Sequence, residues 1–115
     1  MSTVPAPVDA TKTPAWAVLD TRHNELVSSG FTLKGAFADD PNRVDALSFD
    51  LDDLHFDLSK NLVDKTTLGL LCDLARAVGL EQRRDAMFAG ARINTTEDRA
   101  VLVAQIEKEV GVVDI

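Results

Sequence analysis

Tyrosine is missing from this 115-residue chain, and other aromatic side chains are few: five Phe and one Trp. A core built from it is therefore aliphatic, made of Leu, Val and Ala. There is a single cysteine, Cys72, which excludes an internal disulfide and fits a reducing compartment. It lies in the apolar run around Leu71 and Leu74 with no evident basic neighbour, so a buried packing thiol is expected rather than a nucleophile. Positive charge is also scarce. Twelve Lys and Arg stand against nineteen Asp and Glu, a net charge of −7, and such a surface repels phosphate backbones and anionic lipid. Nucleic acid and membranes are accordingly not expected as partners. No stretch approaches the ~20 apolar residues of a bilayer span. The N-terminal "MSTVPAPVDATKTP" lacks the basic and apolar parts of a signal peptide, which leads to the expectation of a cytoplasmic protein.

Chemical signatures are equally sparse. The six glycines are scattered and form neither GxGxxG nor a phosphate-binding P-loop. His23 and His55 sit in different elements without metal-ligand spacing. The carboxylates from Asp50 to Asp57 lack the Gly and terminal Glu of a calcium loop, and strand alternation accounts for them as a solvated face. Asn94-Thr95-Thr96 matches a glycosylation sequon but serves better as a helix start. Ser59-Lys60-Asn61 could hold a phosphate and is equally a turn. No catalytic, cofactor-binding or metal-binding residue is expected, and no cofactor.

What is present is a globular pattern, 45% apolar, in one domain's length. Residues 1–12, with Pro5 and Pro7, read as a flexible arm; 13–111 as a single small helical domain with a β-hairpin; 112–115 as a tail. Thr13-Pro14 caps and opens a helix whose face carries Trp16, Leu19, His23, Leu26 and Val27 and which Gly30 ends. Phe31 to Phe37 forms one or two helical turns, and Asp40-Pro41 starts a short helix reaching about Asp45.

The period then changes. In "LSFDLDDLHFDL", residues 47–58, an Asp52-Asp53 turn pairs Leu51 with Leu54, Phe49 with Phe56 and Leu47 with Leu58. All six apolar residues then share one face, with Asp50 opposite His55 on the other. Since a lone hairpin is marginal in water, the helices are expected to cover that face. Asp64 caps a helix with Leu68, Leu71, Ala75 and Val78 at helical spacing, broadened by Leu70 and Leu74 and stopped by Gly79. A shorter helix runs from about Glu81 to Phe88 and ends at Gly90. Asn94 and Glu97 then form a capping box for a helix from about Thr96, with Leu102, Ile106 and Val110 on its apolar face. The expected class is α+β, mostly α.

"DLSKNLV" (57–63), "LARAVGLEQRRDAMFAGARINTTEDRAVL" (74–102) and the spacing between them resemble the N-terminal region of the glucose-6-phosphate isomerase family. Asp57, Ser59, Lys60, Asn61, Leu62, Arg84, Met87, Phe88, Gly90, Ile93, Asn94, Thr96, Glu97, Arg99, Ala100, Val101 and Leu102 stand at matching places. The resemblance covers roughly residues 14–102. Two positions depart: Leu58 replaces the family's aromatic, and Val103 its histidine. "VAQIEKEVGVVDI" is not expected to continue the family pattern. The resemblance implies interconversion of glucose 6-phosphate and fructose 6-phosphate through a cis-enediol(ate). It places the histidine, lysine, arginine and glutamate of that chemistry in downstream domains, whose motifs this chain lacks. The chain is therefore expected to be inactive alone. Its implied partner is the remainder of an isomerase chain or a full-length isomerase, with the oligomeric state left open. The alternative is a small helical interaction or regulatory module derived from that segment.

Overall fold

Thr13 and Pro14 open helix α1 (Pro14–Ser28) as their types require: the Thr13 hydroxyl accepts the Trp16 N–H at 3.2 Å, and proline occupies the first turn. At its end Gly30 takes φ 71°, the Gly30 N–H reaches the Val27 carbonyl, and the Phe31 N–H reaches that of Leu26. This is the Schellman arrangement, and it needs the left-handed residue that glycine supplies. The structure, a computed structural model, describes residues 4–94. Thr11–Leu74 form one compact unit; the described residues outside it, 4–10 and 75–94, fall in a second.

Helix α2 (Leu33–Asp39) begins two residues later than the sequence suggests, because the Thr32 hydroxyl caps it by accepting the Gly35 N–H at 3.1 Å. Asp40 does not start a helix directly. Its carboxylate accepts the Asn42 N–H at 2.9 Å and its carbonyl the Arg43 N–H at 3.1 Å, forming a turn. Helix α3 is consequently only Arg43–Ala46.

The hairpin forms in the expected register. Strands β1 (Ser48–Leu51) and β2 (Leu54–Asp57) are antiparallel, with Phe49 opposite Phe56, Asp50 opposite His55 and Leu51 opposite Leu54. A bond from the Leu58 N–H to the Leu47 carbonyl (2.9 Å) extends it at the base. Asp52 adopts φ 51° at the turn, which a short polar residue tolerates. Among the described residues the expected cover over this face is incomplete. Leu47 is buried at 1% exposure, but Phe49 is 44% exposed, Phe56 46%, Leu54 59% and Leu51 63%. Apolar exposure grows from the base, where Leu47 is buried, toward the turn.

Helix α4 (Lys65–Ala77) starts on Asp64, whose carboxylate accepts the Thr67 N–H at 2.8 Å and the Thr67 hydroxyl at 2.7 Å. Thr67 is buried; Leu68, Leu70, Leu74, Ala75 and Val78 are half-buried. Cys72 is exposed, which corrects the expectation of a buried thiol. At ~100° per residue it lies about 140° round the helix from Thr67, off the inward stripe despite its apolar neighbours. Gly79 (φ 79°) ends α4 and precedes α5 (Leu80–Phe88). Gly90 closes α5 as Gly30 closes α1: its N–H reaches the Met87 carbonyl and the Ala91 N–H that of Ala86. Ala86 and Ala91 are both buried, the apolar pair that accompanies this motif. The expected helix from Thr96, with its Asn94–Glu97 box, lies outside the described residues. The class is α+β and mostly helical, with a single two-stranded sheet among the described residues.

Candidate functional site

Three local assemblies carry the polar chemistry of the described residues. The most buried is centred on Arg43, 4% exposed. Its Nε donates to the Ser59 carbonyl at 2.8 Å and an Nη to the Asn61 carbonyl at 2.9 Å. Its guanidinium lies 5.5 Å from the Phe37 ring centre and 5.9 Å from that of Phe31, within range for cation–π attraction. The Ser59-Lys60-Asn61 stretch is thus a turn wrapped on an arginine. The Asp57 carboxylate accepts the Ser59 N–H at 2.8 Å. The adjacent Ser59, whose N–H makes that bond, holds the Asp57 carboxyl below its usual range. Lys60 points outward, exposed.

A cavity of about 320 Å³ opens beside this assembly, lined in part by Asp39, Asp40, Asp64, Arg43 and Lys65. Three carboxylates against two cations give it a net acidic lining, which disfavours an anionic ligand.

The second assembly ties α1 to the start of α4. Arg22 donates to Asp64 and, at 3.1 Å, to Glu25. Burial alone would raise the pKa of the Asp64 carboxyl. The Thr67 N–H, the Thr67 hydroxyl and Arg22 outweigh it and hold that group below the usual range. Beside this pair runs a groove of about 390 Å³, walled by Trp16, Leu19 and Leu26 of α1, Leu62 and Val63 of the loop, and Leu71 of α4.

The third assembly is the Asp50–His55 pair across the hairpin, 2.6 Å from Oδ1 to Nδ1. The hydrogen bond to Asp50 raises the His55 pKa, and Asp57 adds to it through charge. His23 sits apart from it, exposed at the groove rim. Among the described residues no three His, Cys, Asp or Glu side chains come together to hold a metal ion, and no helix is long and apolar enough to cross a membrane.

Two arginines central to this arrangement carry no mark in the sequence. In the pair Arg83-Arg84, the family-matching Arg84 is exposed and meets Asp85 at 3.0 Å. Arg83 instead donates to the Pro5 carbonyl at 3.1 Å and to that of Ile93 at 3.2 Å, giving the N-terminal stretch a fixed point.

Among the described residues caps, turns and apolar faces dominate, and acid, base and anion-binding groups do not converge. The described residues define a small, mostly helical segment with one β-hairpin, held by caps and turns. The phosphoglucose isomerase family model matches residues 57–113. Glucose-6-phosphate isomerase of Bifidobacterium longum is 54% identical over 104 residues, 90% of this chain and 18% of that protein. The Mycolicibacterium smegmatis protein of the same name is 55% identical over 94 residues, 82% of this chain and 17% of its own. That of Mycobacterium tuberculosis is 50% identical over 102 residues, covering 89% and 18%. The chain belongs to the phosphoglucose isomerase family, to its N-terminal region. It spans less than a fifth of the length of the curated relatives it matches. The match running to residue 113 corrects the expected break after Leu102: one substituted position, Val103, does not end a pattern that the surrounding residues carry.

Proposed function

We propose that the chain supplies the N-terminal structural segment of an enzyme that interconverts glucose 6-phosphate and fructose 6-phosphate, and that it has no isomerase activity alone. The observation that carries this reading is a mismatch between identity and coverage. Half or more of the aligned residues are identical, yet the chain spans only 18% of the Bifidobacterium longum relative. Aldose–ketose isomerisation needs a positioned base and a preorganised phosphate cradle. The groups with shifted pKa values, Arg22, His55, Asp57 and Asp64, each owe the shift to a cap, turn or hairpin partner. None faces a cationic pocket. The exposed Phe49, Leu51, Leu54 and Phe56 are what further isomerase polypeptide would cover.

A second reading is favoured by one feature: the capped helices α1 and α2, the capped start of α4 and the hairpin all lie within Thr11–Leu74. Such a unit is suited to act as a separate module that docks on a full-length isomerase. A coupled assay of glucose 6-phosphate conversion, run on the purified chain with light scattering, tests both. The expected result is no turnover and, for the second reading only, a complex with added full-length isomerase. Turnover by the purified chain would overturn the claim of inactivity.

A further inference from the structure

We infer that the groove between α1 and α4 seats an amphipathic helix bearing an arginine or lysine beside its apolar stripe, contributed by the remaining polypeptide of an isomerase. This rests on the proposed role as a structural segment and names the surface and the chemistry of its partner. Three observations carry it. The groove is apolar along its length yet open: Trp16 is 40% exposed, Leu71 39% and Leu62 65%. A trough walled by two helices favours a third helix, whose side chains every three or four residues fill it. More than four fifths of each of the three relatives named above lies outside the aligned segment, so polypeptide to fill it exists in all three.

The third observation is charge. Asp20, Trp16, His23 and Thr67 are the lining residues with polar atoms. The Thr67 hydroxyl is already given to Asp64. Asp20, one helical turn beyond Trp16 on the same face, has no hydrogen-bond or ion-pair partner among the described residues. A cation placed there meets a carboxylate and an indole face together. An arginine or lysine therefore fits this rim, and an acidic partner does not.

Trp16 is the chain's one tryptophan and tyrosine is absent, so its emission reports this groove. Overlapping peptides of about 20 residues, enough for a ~30 Å helix, would span the Bifidobacterium longum isomerase outside the aligned segment. Each is titrated into the full 115-residue chain. One peptide with a basic residue flanking an apolar helical stripe is expected to shift Trp16 emission to the blue and saturate. Asp20→Asn should weaken that binding about threefold, as for a partly exposed ion pair. Leu71→Glu, at an exposed position that tolerates charge in the free chain, should weaken it by more than about tenfold. Asp53→Asn at the hairpin turn should leave it unchanged. The same emission is read in a complex reassembled from the chain and the relative's remaining polypeptide, so that a peptide too short to fold does not decide the matter. Reassembly with unmoved Trp16 emission would overturn the groove while leaving the segment reading standing. Binding indifferent to both Asp20→Asn and Leu71→Glu would overturn it too.

Discussion

Replacing Arg43 with methionine tests whether this one buried guanidinium holds the Ser59-Lys60-Asn61 turn in place. Methionine keeps most of the stem's apolar volume and removes the five donors. The Ser59 carbonyl then loses a 2.8 Å bond and the Asn61 carbonyl one of 2.9 Å. Ser59 is 1% exposed, so its acceptor bears the full penalty of a buried, unmade hydrogen bond, ~1–3 kcal/mol. Asn61 is exposed, and water replaces its bond at ~1 kcal/mol or less. The loss of cation–π attraction to Phe31 and Phe37 adds ~0.5–1 kcal/mol each, partly returned by sulfur–aromatic contact. Relief of the guanidinium's desolvation works in the opposite direction. The net expectation is a loss of about 2 kcal/mol. Urea unfolding followed by Trp16 emission, in the same compact unit as Arg43, is the assay. With a slope of ~1–1.5 kcal/mol/M, the midpoint should fall by roughly 1.5 M. Arg43→Lys, which keeps the charge but not the fork, should fall between the two. A midpoint unmoved or raised in Arg43→Met would refute the reasoning, since desolvation would then outweigh both carbonyl bonds.

Two further perturbations read other parts of the structure. A β-carbon added at Gly30 or at Gly69 meets nothing within 4 Å, but Gly30 alone has positive φ, 71°. Gly30→Ala should therefore cost ~1 kcal/mol or more, whereas Gly69→Ala, inside α4, should add ~0.5–1 kcal/mol; paired thermal unfolding separates the two signs. His55 has its pKa raised by Asp50, so its contribution to hairpin stability is full below the unfolded value, ~6.5, and is lost as pH rises through the higher folded value. An NMR titration of the imidazole should show that raised midpoint and its return toward ~6.5 in Asp50→Asn; an unchanged midpoint in the variant would refute the assignment.

Much of the local structure is legible in the sequence because it is set by neighbours a few residues apart. Thr13-Pro14, Gly30, Asp64, Gly79 and Gly90 punctuate the helices where their backbone chemistry demands, and strict alternation fixes the hairpin's register. What the sequence conceals is which apolar faces find cover. Phe49 and Phe56 look like core and are half exposed, because alternation specifies a face and not what lies against it. Cys72 looks buried because its neighbours are apolar, while helical rotation turns it outward. Arg43 and Arg83 were hidden for the opposite reason. An arginine reads as surface, and nothing local announces that distant carbonyls of Ser59, Asn61, Pro5 and Ile93 await its donors. The site follows the same rule: the family signature in 57–63 and 74–102 lies in plain view, and the groove that Trp16, Leu62 and Leu71 share emerges only from the fold.

As proposed above, the chain completes an isomerase body without catalysing the reaction itself. Fragment complementation tests this most directly. The Bifidobacterium longum isomerase lacking the aligned segment is co-expressed with and without this chain, and glucose 6-phosphate conversion is measured on the purified products. Turnover is expected only when both polypeptides are present and co-purify. Full activity of the shortened isomerase without the chain, or turnover by the chain alone, would contradict that expectation.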